Sequence, residues 1–240
     1  MPDYSMFVTV TAPTTHIAIL YFSRTAKSER QSKHWFGSKR ETKNQVLAEA
    51  LIQQSTLVAQ KTGLPVFHFH EGNQKGSSFG ERLANAYQEI FNQGYDAVVA
   101  IGNDIPELHT TNWEWVFDQL SQGNNVLGPT TNGGAYLIGL TQKAFVKSAF
   151  QALPWQTYNL FEALKQYCTT SHHTHLLKVL RDVNTLKDLL ALTSSQCLQQ
   201  HFRTLIFALF SSVSKIQIRK KLLLAFRFRL LLLPMRAPPF

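Results

Sequence analysis

Apolar residues along this chain come in two rhythms that take turns: short unbroken runs, and longer stretches in which they return every three or four positions. The first rhythm suits strands buried on both faces, and the second suits helices with one buried stripe. HIAILYF (16–22), LPVFHF (64–69) and DAVVAI (96–101) read as the first three strands. Between them, Val46, Leu47, Ala50, Leu51, Leu57 and Val58 mark a helix from Lys43 to Lys61 closed by Gly63. Leu83, Ala84, Ala86, Tyr87, Ile90 and Phe91 mark a second helix that ends at Gly94. NWEWVFDQLSQG predicts a further short helix, NVLGPTTNGGAYLIGL two short strands around a glycine-rich loop, and LPWQTYNLFEALKQY another helix. THLLKVLRDVNTLKDLLAL predicts a last short strand, then a helix that begins near Asn184 and Thr185. Such alternation implies an α/β fold with a mostly parallel sheet and right-handed crossovers.

Composition narrows this picture without redirecting it. A chain of 240 residues with 44% hydrophobic and 16% charged residues suits a folded α/β domain with or without an appendage. Cys168 and Cys197 form no metal-ligand spacing and no disulfide framework, and MPDYSMFVTVTAPTTH has neither a basic nor a long apolar segment. A cytoplasmic location is therefore the expectation. The net charge of +9 would suggest nucleic acid were it spread evenly. It is not: after Asp188 there are eight basic residues and no acidic one, so the preceding body is close to neutral. A second basic cluster, Arg24, Lys27, Arg30, Lys33, Lys39, Arg40 and Lys43, is offset only by Glu29 and Glu41 and reads as a solvated loop or a phosphate-binding one.

The candidate chemistry lies at strand ends. Asn103 and Asp104 follow the third strand, where open α/β sheets hold ligands, although Gly102, Asn103, Asp104 and Pro106 would equally make an ordinary turn. Asp182 and Asn184 follow the last strand, either converging with Asp104 on a hard cation such as Mg²⁺ or capping the next helix. Gly133 and Gly134 would let the backbone approach a ligand closely or simply turn a hairpin. His68 and His70, and His172, His173 and His175, lack the further ligands zinc would need. No GxGxxG or GxxxxGK[ST] loop occurs, which argues against Rossmann dehydrogenases and P-loop enzymes.

VVAIGNDIPELHTTNWEWVFDQL followed by NVLGPTTNGGAYLIGL resembles the pattern GSDxPxL then LGPxxDGGYYLIGL. That pattern belongs to a bacterial glycosyltransferase-like family labelled radical-SAM or selenodomain-associated transferase. FGERLANA (79–86), LPWQT and DVNTLKDL resemble its GERxxxA, W-S/Q-T and DxDTxxDL segments, so the likeness spans about residues 16–192. It implies the nucleotide-diphospho-sugar transferase fold of A-type glycosyltransferases, a three-layer α/β/α sandwich, over residues 1–195. It further implies a metal-dependent glycosyl- or nucleotidyltransferase using Mg²⁺ or Mn²⁺. By the same resemblance, Asp104 and Asn132 are the catalytic candidates, Arg82 faces the nucleotide or its phosphates, Asn132, Gly133 and Gly134 face the sugar or acceptor, and Asp104 and Asn184 hold the metal; by their place after strands, Arg24, Lys27 and Asn103 join the phosphate side and Asp182 the metal. The chain departs from the pattern at Asn132 and Asn184, where the family has aspartate, and in the segment after the first strand, where it lacks K-T-R-L. Asparagine keeps an oxygen but loses a charge, which lowers metal affinity and removes a general base. A non-catalytic nucleotide- or partner-binding member of the fold is the alternative these changes raise.

Residues 196–240 form a basic, apolar appendage whose uninterrupted apolar runs are too short to span a bilayer. It is expected to pack as helices on the domain or on a second copy, with an anionic membrane surface as the alternative.

Overall fold

In the computed structural model, residues 15–169 and 173–211 are described. The chain runs β1 (Ile17–Phe22), α1 (Ala26–Ser32), α2 (Glu41–Lys61), β2 (Val66–Phe69), α3 (Phe79–Phe91), β3 (Ala97–Ile101) and α4 (Trp113–Ser121). It continues through β4 (Asn125–Pro129), β5 (Ala135–Thr141), α5 (Lys147–Gln151), α6 (Leu160–Thr169), β6 (Thr174–Leu176), α7 (Leu186–Leu192) and α8 (Gln200–Phe210). The six strands form one sheet in the order β2-β1-β3-β5-β4-β6. β1 pairs in parallel with both β2 and β3, and β4 in parallel with β6, whereas β5 runs antiparallel to β3 and β4. The exception has a local cause: Thr131 to Gly134 are too few residues for a crossover and must turn the chain straight back as a hairpin.

Strand periodicity divides the core. Ala18, Leu20, Val98 and Ala100 face α3, α5 and α6, where they meet Leu83, Tyr87, Phe91, Phe150 and Leu164. Their neighbours Ile17, Ile19, Tyr21, Val99 and Ile101 point the other way and meet Val58 and Ala59 of α2 with Val116 and Leu120 of α4. The sheet is thus the middle layer of an α/β/α sandwich. The helical stripe expected on α3 is the buried one, and each of its large side chains contributes roughly 1.5–3 kcal/mol by leaving water.

A third cluster joins elements distant in sequence. Leu47 and Leu51 of α2, Val183, Leu189 and Leu192 pack with Phe202, Leu205, Ile206 and Leu209 of α8 around Trp35. Residues 200–210 therefore pack back on the domain, and the basic remainder of the expected appendage lies outside the described residues. Among the described residues, no helix is long and apolar enough to cross a membrane.

β1 continues to β2 on one side, and after α3 the chain returns to place β3 on the other side of β1. Between the carboxyl ends of β1 and β3 the two crossovers diverge and leave a crevice. Because β5 is antiparallel, its first residues lie at this same edge.

Candidate functional site

The segment after β3 is both of the things its sequence suggested. Leu108 N donates to Ile105 O at 3.1 Å, closing a turn. The turn also presents Asn103 and Asp104 to the crevice. The backbone carbonyl of Asp104 accepts from Val183 N at 2.9 Å, and Val183 O accepts from the buried Trp35 Nε1 at 3.0 Å. Three segments from distant parts of the chain are stapled there by two hydrogen bonds, which fixes Asp104 beside Asp182 and Asn184. Asn103 is 6% exposed, and its Nδ2 finds no protein acceptor. A buried donor without a partner is costly, so an unsatisfied amide lining a cavity is a place for a ligand oxygen.

The basic stretch after β1 is ordered rather than a solvated loop. Thr25 caps α1 by accepting from Ser28 N, and Thr25 and Ser28 are tied to Glu71 beyond β2. Placing Glu29 and Lys33 one turn apart turns both inward. Lys33 Nζ lies 3.0 Å from Glu29 Oε1 and 3.1 Å from Asp104 Oδ2, and 6.0 Å from the centre of the Trp35 ring. Burial pulls this ammonium down, but the Asp104 and Glu29 carboxylates outweigh it and hold it above its ordinary range.

Asp182 is also buried, and each of its oxygens accepts an amide hydrogen. Oδ1 accepts from Asn132 Nδ2 at 2.7 Å, and Oδ2 accepts from Asn184 Nδ2. Burial raises its pKa and nearby Asp104 raises it further, against the two amides that favour the carboxylate. Neither Asp182 nor Asn184 supplies the side-chain cap of α7. That role belongs to Thr185, which forms a capping box with Asp188.

These groups share a cavity of about 430 Å³. Arg24, Arg82, Asn103, Asp104, Gly134, Asp182 and Asn184 all line it, with Lys33 and Glu29. Asn132 reaches it only through Asp182, and Lys27 is exposed on α1 away from it. Gly133 serves the fold: its φ is +78°, and a Cβ there would lie 2.1 Å from Tyr158 O. The close approach its sequence suggested is thus to the protein's own backbone. On the opposite wall, Trp155 and Gln156 line the cavity, and Gln156 has a φ of +64°, a left-handed conformation that costs a non-glycine residue energy. The expected helix therefore starts only at Leu160, after this irregular segment.

The divalent cation expected on Asp104, Asp182 and Asn184 can be tested against this donor set. Hard cations need free oxygens, preferably carboxylates. Here the Asp182 oxygens already accept amide hydrogens, Asp104 is paired with an ammonium, and Asn184 offers Asp182 its nitrogen. As arranged, these residues fit a cation poorly. Among the described residues no group of three or more His, Cys, Asp or Glu side chains is placed to hold a metal. His68 bonds Ser23 Oγ at 2.8 Å and His70 accepts from Gly72 N at 3.0 Å, while His173 and His175 contact each other. His172 lies outside the described residues.

The profile of the family described as "Uncharacterized protein conserved in bacteria (DUF2064)" matches residues 36–157. The chain belongs to that family. For a DUF2064 member, the matched span takes in Asp104, the hairpin and the Trp155 wall but stops short of Asp182, and it begins just after Lys33. No curated protein matches the chain. Among solved structures, a provisionally named nucleotide-diphospho-sugar transferase from Desulfovibrio desulfuricans G20 superposes with a TM-score of 0.70. It is 21% identical over 87% of this chain and 99% of its own, a likeness that establishes the fold. Rv0371c of Mycobacterium tuberculosis H37Rv is more distant, with a TM-score of 0.47, 13% identity and coverage of 75% and 98%. Its complex with manganese gives 0.42, 13%, 74% and 98%.

Two site residues escaped the sequence reading: Glu29, which appeared there only as a partial offset to basic charge, and Lys33, one cation among seven. The signal that could have singled them out is their spacing of four on a helix, a favourable pairing with glutamate first.

Proposed function

We propose that the cavity binds the diphosphate of a nucleotide sugar and that the protein is a transferase of the attached group, glycosyl or nucleotidyl. The observation that carries this reading is the lining of one cavity by Arg24, Lys33 and Arg82 together with the partnerless Asn103 amide. Two arginines, a lysine shared with Glu29 and Asp104, and a buried N–H donor make a set suited to phosphate oxygens, and 430 Å³ lies within the range of small-molecule sites. In a transfer step the charge gathers on the departing phosphate, and cations fixed beforehand stabilise that charge more than they stabilise the ground state. Lys33 is fixed by Glu29 and Asp104, while Arg82 is held from the start of α3 by its bond to Ser77 O at 3.3 Å. The wall of Gly134, Tyr136, Trp155 and Gln156 would then face the transferred group or its acceptor.

A second reading, a binder without turnover, rests on the amides at Asn132 and Asn184, which cannot accept a proton as a general base. Calorimetry with a panel of nucleoside diphosphates and nucleotide sugars tests both. Binding that weakens about tenfold or more in Arg82→Ala supports the site. Turnover of a bound nucleotide sugar supports the transferase, binding without turnover supports the second reading, and failure of every nucleotide to bind removes both.

A further inference from the structure

We infer that Lys33 takes the part of a divalent cation in this protein, so that the site holds a diphosphate without a metal. The inference rests on the diphosphate reading of the cavity and names how this chain meets the phosphate charge.

Asp104, Asp182 and Glu29 bring three negative charges to the cavity, and Lys33, Arg24 and Arg82 bring three positive ones. Lys33 offsets the carboxylates around it, and Arg24 and Arg82, for which no ion pair forms among the described residues, are the cations left to meet the diphosphate. An ammonium has three N–H donors, and Lys33 gives one to Asp104 and one to Glu29, which leaves one for a phosphate oxygen. A cation on Asp104 Oδ2 would have to displace Lys33, and one on Asp182 would compete with the Asn132 and Asn184 amide hydrogens. Lys33 is not easily displaced: its side chain is 18% exposed, Glu29 beneath it is 5% exposed, and moving the ammonium would leave that carboxylate buried and unpaired. Trp35 anchors the adjoining backbone to Val183, so Lys33 is held in register with the Asp182–Asn184 segment. The substitutions agree with one another. Where the resembling pattern has carboxylates at 104, 132, 182 and 184, this chain has two, Asp104 paired with an ammonium and Asp182 hydrogen-bonded by two amides.

Binding measurements on the full chain test this with two probes, Mn²⁺ alone and inorganic pyrophosphate. The wild type is expected to bind Mn²⁺ no more tightly than on the order of 1 mM. Pyrophosphate should bind in the presence of a chelator. Lys33→Met should weaken pyrophosphate about tenfold or more in chelator while tightening Mn²⁺, since it frees two carboxylates. A merely structural lysine would not move the two affinities in opposite directions. Lys33→Arg, which keeps the charge, should retain pyrophosphate binding and guards against loss of fold in the methionine variant. The double variant Asn132→Asp/Asn184→Asp should also gain Mn²⁺ affinity by about tenfold or more. Wild-type Mn²⁺ binding in the micromolar range that Asp104→Asn abolishes would overturn the inference. So would pyrophosphate binding that appears only with Mn²⁺, and in that case the diphosphate reading would stand. Absence of pyrophosphate binding under both conditions would instead remove the diphosphate reading, and this inference with it.

Discussion

At the scale of single residues, the site is built from groups that satisfy one another before any ligand arrives. Asp182 keeps two amides, Asp104 keeps an ammonium, and Glu29 is buried only because Lys33 sits one turn along. Glu71, on the far side of α1, shows the same logic. Burial pushes its carboxyl up, but the bonds from Ser28 and Thr25 together outweigh it and hold it down to about 2. A carboxylate whose pKa falls on folding adds stability that is complete above its unfolded value near 4.5 and disappears as pH drops toward the folded one. Melting temperatures of wild type and Glu71→Gln should therefore differ most at neutral pH and draw together between pH 4.5 and about 2. A gap that stays constant across that interval would show that Glu71 does not secure the start of α1. Asn103 is the contrary case, a buried amide left with an open donor, and the absence of a partner is what points outward to a ligand.

Elements meet through small residues at the points where the motifs interlock. Gly80 in α3 lies against the Trp155 segment so closely that an added Cβ would sit 2.3 Å from Trp155 Cδ1 and 2.4 Å from Gln151 O. The second contact is backbone, so α3 and α5 would have to separate. Gly80→Ala is expected to cost about 1–3 kcal/mol in chemical denaturation, against the usual gain from replacing glycine inside a helix. Since Trp155 lines the wall assigned to the transferred group, the same variant should weaken binding of a nucleotide sugar. An alanine variant as stable as wild type would mean the two elements are not in contact. FGERLANA and LPWQT, far apart in sequence, are in this way two halves of one packing contact. Pattern-reading found both segments and could not pair them, because the pairing is a property of the α3–α5 interface.

At the scale of the whole molecule, α8 closes a cluster that reaches from α2 to Val183 and so braces the backbone beneath Asp182 and Asn184. Ile206 is fully buried there, and Ile206→Ala should cost about 2–5 kcal/mol in global unfolding. If α8 instead melts alone, the denaturation curve will show an early separate step and the main transition will be unchanged. The placing of most strands and helices, the two buried stripes of α2 and α3 and the α/β class were legible in the sequence, because burial against a sheet imposes a period on neighbouring residues that short windows reveal. The candidate positions Asn103, Asp104, Asp182 and Asn184 were legible too, through turn residues placed after strands and through motif likeness. What only the tertiary structure decided was which cation of seven turns inward, which nitrogen meets which oxygen around Asp182, and that Gly133 packs against the Tyr158 backbone. The first two depend on residues 71 and 50 positions apart being brought to 3.1 and 2.7 Å by loop packing, and no local rhythm in a chain records a distance of that kind.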